Sequence, residues 1–112
     1  MKVPHFNRRL TLEDPQRSAD GAGGFTENWV ALGIHWAAVV RLTGRVKSQE
    51  GASLSVQRYR ITLRADPVGS AARPRPDQRF RDGSRIYLIH AVAEEDDRGR
   101  YLTCFAQEEV SA

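Results

Sequence analysis

The residues able to do chemistry are few and scattered. His5, His35, His90 and Cys104 are the chain's only imidazoles and thiol. None of them forms the C-x-x-C or H-x-x-x-H spacing that brings ligands to one metal. They read as separate surface or half-buried side chains, and no metal or other cofactor is expected. Glu94, Glu95, Asp96 and Asp97 form an acidic run. Neighbours on an extended chain point to opposite sides, so these carboxylates do not converge on a cation and read as a solvated turn. No Gly-x-Ser-x-Gly elbow presents a nucleophilic serine. Asp20-Gly21-Ala22-Gly23-Gly24 lacks the Lys-Ser/Thr pair that grips phosphate and reads as a turn or hinge. No catalytic residue is assigned, and an enzyme is not expected. The remaining chemistry is charge. Arg73, Arg75, Arg79, Arg81 and Arg85 form the most basic stretch. It suits contact with nucleic acid or an acidic protein partner, or a solvated strand edge that resists aggregation.

The elements that must carry these residues are strands. Period-two apolar patterns recur, and no long stripe at helical spacing exists. A short segment at residues 7–11 is expected to stop at Pro15. Residues 25–32 alternate in part, with Phe25 and Trp29 on one face, and Gly33 suggests a bulge or tight turn. Residues 34–42 are the strongest strand. Trp36, Ala38 and Val40 lie on one side, with His35, Ala37 and Val39 on the other. Residues 43–53 read as a loop. Residues 54–64 resume alternation, with a slip or bend near Gln57 between the phase of Leu54 and Val56 and that of Tyr59, Ile61 and Leu63. Residues 66–77 hold three prolines, which exclude a central strand. Asp82-Gly83 marks a tight turn before a strand over residues 85–92. A last strand covers residues 100–107, with Leu102, Cys104 and Ala106 opposite Tyr101, Thr103 and Phe105. The expected fold is all-β, a small β-barrel or sandwich with long inter-strand loops. Trp36, Ile61, Leu63, Ile86, Leu88 and Leu102 are expected in its core.

Composition sets the outer limits. The 112 residues fit one domain, expected to span 1–112 with residues 1–9 and 109–112 as tails. Such a chain buries roughly 65% of its unfolded surface, enough for one modest core. The net charge of +3 is compatible with nucleic acid nearby but does not require it. No apolar run approaches the roughly 20 residues of a membrane span. The opening residues lack the apolar centre of a signal peptide, so synthesis and use in the cytoplasm are expected. A single cysteine allows no internal disulfide, and its apolar neighbours suggest a buried thiol.

Several short patterns, in order, resemble the phage head–tail joining family, whose members are also called head-closure, stopper or head–tail adaptor proteins. They are Asp20-Gly21-Ala22-Gly23-Gly24 with Trp29, His35-Trp36-Ala37-Ala38-Val39, and Tyr59-Arg60-Ile61-Thr62-Leu63-Arg64. The last block is Arg79-Phe80, Gly83, Arg85-Ile86-Tyr87-Leu88-Ile89, Val92, Asp96 and Arg100-Tyr101-Leu102-Thr103-Cys104. The likeness runs from about Leu10 to Glu108 and is similar to the versions in bacterial prophages and gene transfer agents.

The resemblance implies a virion structural protein that forms a ring of copies, a hexamer or dodecamer. The portal and its adaptor would lie on the head side and the tail terminator on the tail side. Packaged DNA would pass through without sequence-specific binding, and no membrane would take part. The chain would move from the host cytoplasm during assembly to the head–tail junction. The family's channel loop matches residues 43–56, so Arg45, Lys47, Gln49, Glu50 and Ser53 are candidates for the channel or for a neighbouring subunit. The family often has an acidic residue soon after its Thr-Gly pair and a longer, more helix-like insert; here Arg45 follows Gly44 and the insert is short. Arg73, Arg75 and Arg79 are candidates for contact with another connector protein. The alternative is a small β-barrel that binds nucleic acid directly, for which Tyr59 and Tyr87 could stack on bases.

Overall fold

The structure is a computed structural model. The structure describes residues 5–42, 45–49, 52–96 and 98–111, without the side chains of 45–49, 52–55 and 109–111. Alternating apolar residues produce seven strands: β1 (Arg8–Ala19), β2 (Phe25–Arg41), β3 (Arg45–Gln49), β4 (Ala52–Arg64), β5 (Arg79–Asp82), β6 (Arg85–Glu94) and β7 (Tyr101–Ser111). They form one antiparallel sheet in the order β2-β1-β5-β6-β7-β4-β3. A further pairing of β2 with β4, from Ala37↔Leu63 to Arg41↔Tyr59, closes six of the strands on themselves. Closure removes the free edges of those strands where they pair on both sides. The all-β expectation holds, as one closed sheet and not two packed sheets. Arg8 and Arg9, expected in a tail, pair in β1, and β7 runs on through residues 109–111.

The core fills the inside of the closed sheet, and every strand of the closure contributes to it. Leu10 and Leu12, Ala37, Tyr59, Ile61 and Leu63, Phe80, Tyr87 and Ile89, and Leu102, Cys104 and Ala106 are buried there. The period-two spacing within each strand puts these side chains on one face. Ile61, Leu63 and Leu102 occupy the core as expected. Cys104 is fully buried, and desolvation pushes its thiol up to about 12.

Two strands have the opposite phase to that expected. Trp36 is 56% exposed while His35 and Ala37 face inward. In β6, Leu88 is 38% exposed and Ile86 half-buried, while Tyr87 and Ile89 are buried. Both faces of these strands are apolar, so alternation alone does not select the inner one. Volume does: Phe80, Tyr59 and Tyr87 already fill the narrow interior, which leaves room for the methyl group of Ala37 but not for an indole.

Three local readings also change. Residues 25–42 are not two strands; β2 is continuous, and the register shifts by one residue opposite Leu12/Glu13, next to Gly33. Pro15 does not stop β1. It sits beyond the last β1–β5 pair, Glu13↔Arg79, where β1 has β2 alone as a neighbour, so the missing N–H is tolerated as on an edge strand. The residues expected to form a loop at 43–53 instead supply a hairpin, β3 with β4, paired from Arg45↔Val56 to Gln49↔Ala52. The β5–β6 hairpin turns at Gly83-Ser84 and not at Asp82-Gly83. Asp82 pairs with Arg85, and Gly83 takes a φ of 62°, as the first position of a two-residue hairpin loop favours.

Candidate functional site

Two arms leave the closed sheet. The first is the outer half of the β1–β2 hairpin, where Asp14↔Val30 to Ala19↔Phe25 pair with no third strand beside them. Its side chains are polar on both faces of β1, so nothing draws it into the core. The tip is held by Asp20, whose carboxylate accepts from the Ala22 and Gly24 amides at 2.8 and 3.0 Å. Those two bonds hold the Asp20 carboxyl below its ordinary range. Phe25 is 65% exposed beside the tip, with the Arg17 guanidinium 5.1 Å from its ring centroid.

The second arm is β3 with the first half of β4, extended by β7 through Leu54↔Ser111 and Val56↔Glu109. Because Arg41 of β2 pairs with Tyr59, β4 residues before Tyr59 continue past the C-terminal end of β2. The first arm begins at the N-terminal end of the same strand. The arms therefore leave opposite ends of the closed sheet, along a molecule 49 Å in its longest dimension. Candidates Arg45, Lys47, Gln49 and Ser53 fall on this second arm. Their backbones are strand, and their side chains lie outside the described part, as does the whole of Glu50.

The basic stretch divides into clamps and a projecting residue. Arg73 donates from Nη1 to the Asp66 carbonyl at 2.8 Å and lies 3.5 Å from Glu94, so it ties the loop to the end of β6. Arg79 donates from Nε to Glu13 at 2.7 Å and stacks 4.0 Å from the centroid of Trp29, fixing the root of the first arm. Arg81 reaches the other oxygen of Glu13 at 3.1 Å. Arg75 alone of the three candidates projects, with its side chain 73% exposed and 4.0 Å from Asp14. Below it Gln78 is buried, accepting from the Arg75 amide and donating to Asp14, each at 2.9 Å. His35 donates from Nε2 to the Ala72 carbonyl at 2.7 Å, which seats the loop over this mouth of the closed sheet.

The opposite mouth is closed by a polar cluster that sequence reading missed. Arg85 grips Glu108 with two bonds of 3.0 Å and donates to the Tyr59 hydroxyl at 2.9 Å. Tyr59 in turn donates to Glu108 at 3.0 Å. The Arg85 bonds are the main reason the Glu108 carboxyl sits below the ordinary glutamate range, with burial opposing. Arg8 bridges Asp82 and reaches the Tyr87 hydroxyl at 3.4 Å. Tyr59 and Tyr87 are buried and meet edge to face at 4.9 Å. They are structural and offer no platform for bases, which removes the aromatics on which the nucleic-acid alternative relied.

No catalytic or metal-binding geometry emerges among the described residues. No three His, Cys, Asp or Glu side chains gather there as a metal site. In the acidic turn, Asp96 accepts from the Arg100 amide and from its Nε, both at 2.8 Å, and Glu95 bonds Thr103. The side chains at both ends of the closed sheet thus bond to each other, and what projects is arms and surface. A family model for phage head completion proteins matches residues 1–109. The chain belongs to the phage head completion protein family. A chain in the solved virion of a native gene transfer agent particle is 51% identical, with a TM-score of 0.88 over 98% of this chain and 100% of that one. No curated protein matches.

Proposed function

We propose that the chain is a connector subunit of a phage-like particle, working as one copy in a ring between head and tail. The ring, a hexamer or dodecamer, sits below the portal and its adaptor and above the tail terminator. It retains packaged DNA, lets it pass without reading its sequence, and gives the tail a surface to join. The role is structural and not catalytic. Assembly takes place in the host cytoplasm, and the finished subunit lies at the head–tail junction. Membership of the head completion family and likeness to a virion chain support a place in the particle. The observation that carries the connector reading is the pair of arms at opposite ends of one closed sheet. A subunit built this way touches proteins on two sides while its rigid body packs against copies of itself. The second arm, with Arg45, Lys47, Gln49, Glu50 and Ser53, is assigned to the channel or the neighbouring subunit. Arg75 is the loop residue free to meet another connector protein, with Arg73 and Arg79 holding the loop and first arm in place.

Deleting residues 49–53 tests this directly. The closed sheet does not include the hairpin tip, so the purified variant should keep its cooperative melt. Particles carrying it should lose DNA or remain tailless. Particles that kept DNA, joined tails and delivered DNA at the normal level would overturn the assignment of this arm.

A further inference from the structure

The outer wall of β2 and β4 combines two features that the arms and the loop do not explain. The first is an apolar stripe. Ile34, Trp36 and Val40 point outward along β2 and are 50%, 56% and 44% exposed. Val40 pairs with Arg60 of β4, and Arg60 pairs with Phe105 of β7, itself 41% exposed, so Arg60 stands between the stripe and a further exposed aromatic side chain. Cross-strand partners lie about 5 Å apart, close enough to form one contact surface. Phe105 in turn borders a groove of about 460 Å³, lined by Leu42, Arg58 and His90 among others.

The second feature is charge without a partner. Arg9 lies directly across from Trp36, and Arg41, Arg58 and Arg60 flank Val40 and the groove. All four are exposed, and among the described residues none has a carboxylate within 4 Å. Five of the described carboxylates, Glu13, Asp82, Glu94, Asp96 and Glu108, each hold an arginine away from this wall. A second copy, itself carrying a net charge of +3, is a poorer electrostatic match for this wall than a protein with an acidic surface. A DNA backbone would satisfy the arginines but gain nothing from exposed Ile34 and Val40. Tryptophan and arginine around an apolar centre are what protein interfaces favour.

We infer that this wall binds a partner protein of a different sequence, one that presents an apolar segment rimmed by carboxylates. The inference rests on the connector reading, in which the chain works among other particle proteins. Trp36 is the central anchor. Arg9 and Arg60 set the register by pairing with carboxylates on either side of the segment.

A photo-crosslinking residue placed at Trp36 in particle-producing cells tests it, with the same residue at Ser84, in the exposed β5–β6 turn, as control. In particles, the probe at position 36 should link to another particle protein. The linked peptide should carry Asp or Glu on both sides of an apolar residue. Arg9→Glu with Arg60→Glu should lower the yield at least about tenfold, a loss of 1.4 kcal/mol or more. Replacing the partner's carboxylates with arginine should restore it. If the reversal unfolds the domain, Arg9→Gln with Arg60→Gln makes the same test and should also lower the yield. Links only between copies of this chain, links to DNA, or no link in particles that contain the protein would overturn the inference while leaving the connector reading standing. Absence of the protein from particles would overturn the connector reading and this inference with it.

Discussion

The inside and the outside of the closed sheet use the same residue types for opposite ends. At the mouth opposite the loop, Arg85 bonds Glu108 and Tyr59, and Tyr59 packs on Tyr87. On the outer wall of β2 and β4, Arg9, Arg58 and Arg60 stand beside Trp36, Val40 and Phe105 with no carboxylate within reach among the described residues. Both are clusters of arginine and aromatic side chains. One is satisfied within the chain and fixes its shape, and the other has no carboxylate partner among the described residues, which is what the inferred partner protein would supply. Residue type therefore does not separate structure from recognition here. The count of unmet partners does.

The sharpest test of that contrast is to cut an apolar side chain on each side of the sheet. Leu63 is fully buried. Leu63→Ala should cost about 2–5 kcal/mol, because it removes apolar contacts and leaves a cavity. Trp36 is larger but half exposed, and Trp36→Ala should cost less, about 1 kcal/mol. Thermal or urea melts of the two variants settle the comparison. If the tryptophan variant were the less stable, the phase of β2 described above would be wrong.

The polar cluster at the mouth opposite the loop gives the next effect, and it depends on pH. The Glu108 carboxyl is held below its ordinary range, first by the Arg85 bonds and then by Tyr59, against the opposing effect of burial. A depressed carboxyl stabilises the fold above its unfolded value, near 4.3. That contribution is lost as pH falls through the lower folded value. Glu108→Gln removes the charge that Arg85 grips and should cost about 2 kcal/mol at pH 7. The gap between variant and parent should close as the pH is lowered below 4. A gap that stayed constant with pH would show that Glu108 contributes no charge-dependent stability.

How much of this was legible beforehand depends on how far apart the interacting residues lie. The inner face of β4 was readable because only Tyr59, Ile61 and Leu63 on one side of it are apolar, and Arg58, Arg60 and Arg64 on the other are not. The phases of β2 and β6 were not readable, because both faces of each are apolar and interior volume decided between them. The first arm was legible only in part: its β2 side showed through Phe25 and Trp29, while residues 14–19 of β1, polar on both sides, have no buried period to detect. The family patterns identified the class of protein without identifying its surfaces. Arginine roles were the least accessible. Arg79 takes a partner 66 residues away and Arg85 one 23 away, and only the closure of the sheet brings them together. Once the pairings are in view, the Arg73–Arg85 stretch reads as mostly internal clamps and the plainer-looking β4 row as the open surface.

The smallest expected effect separates two arginines that sequence spacing makes alike. Arg79 and Arg75 both belong to the basic stretch and both have a carboxylate within 4 Å. The geometry differs. Arg79 binds Glu13 at 2.7 Å, and that carboxylate is nearly buried, with Arg81 as its second partner. Arg79→Ala also uncovers the Trp29 ring and should cost about 1–2 kcal/mol. For a domain of this size that lowers the melting temperature by roughly 4–16 °C. Arg75 sits 4.0 Å from Asp14 with most of its side chain in water, where screening and side-chain entropy leave an ion pair little net value. Arg75→Ala should change stability by no more than about 0.5 kcal/mol. The same variant should nevertheless weaken assembly if Arg75 meets another connector protein, so melting and incorporation into particles should part company for Arg75 alone. Equal melting losses for the two variants would show that Arg75 is a clamp like its neighbour and would withdraw it from the contact surface.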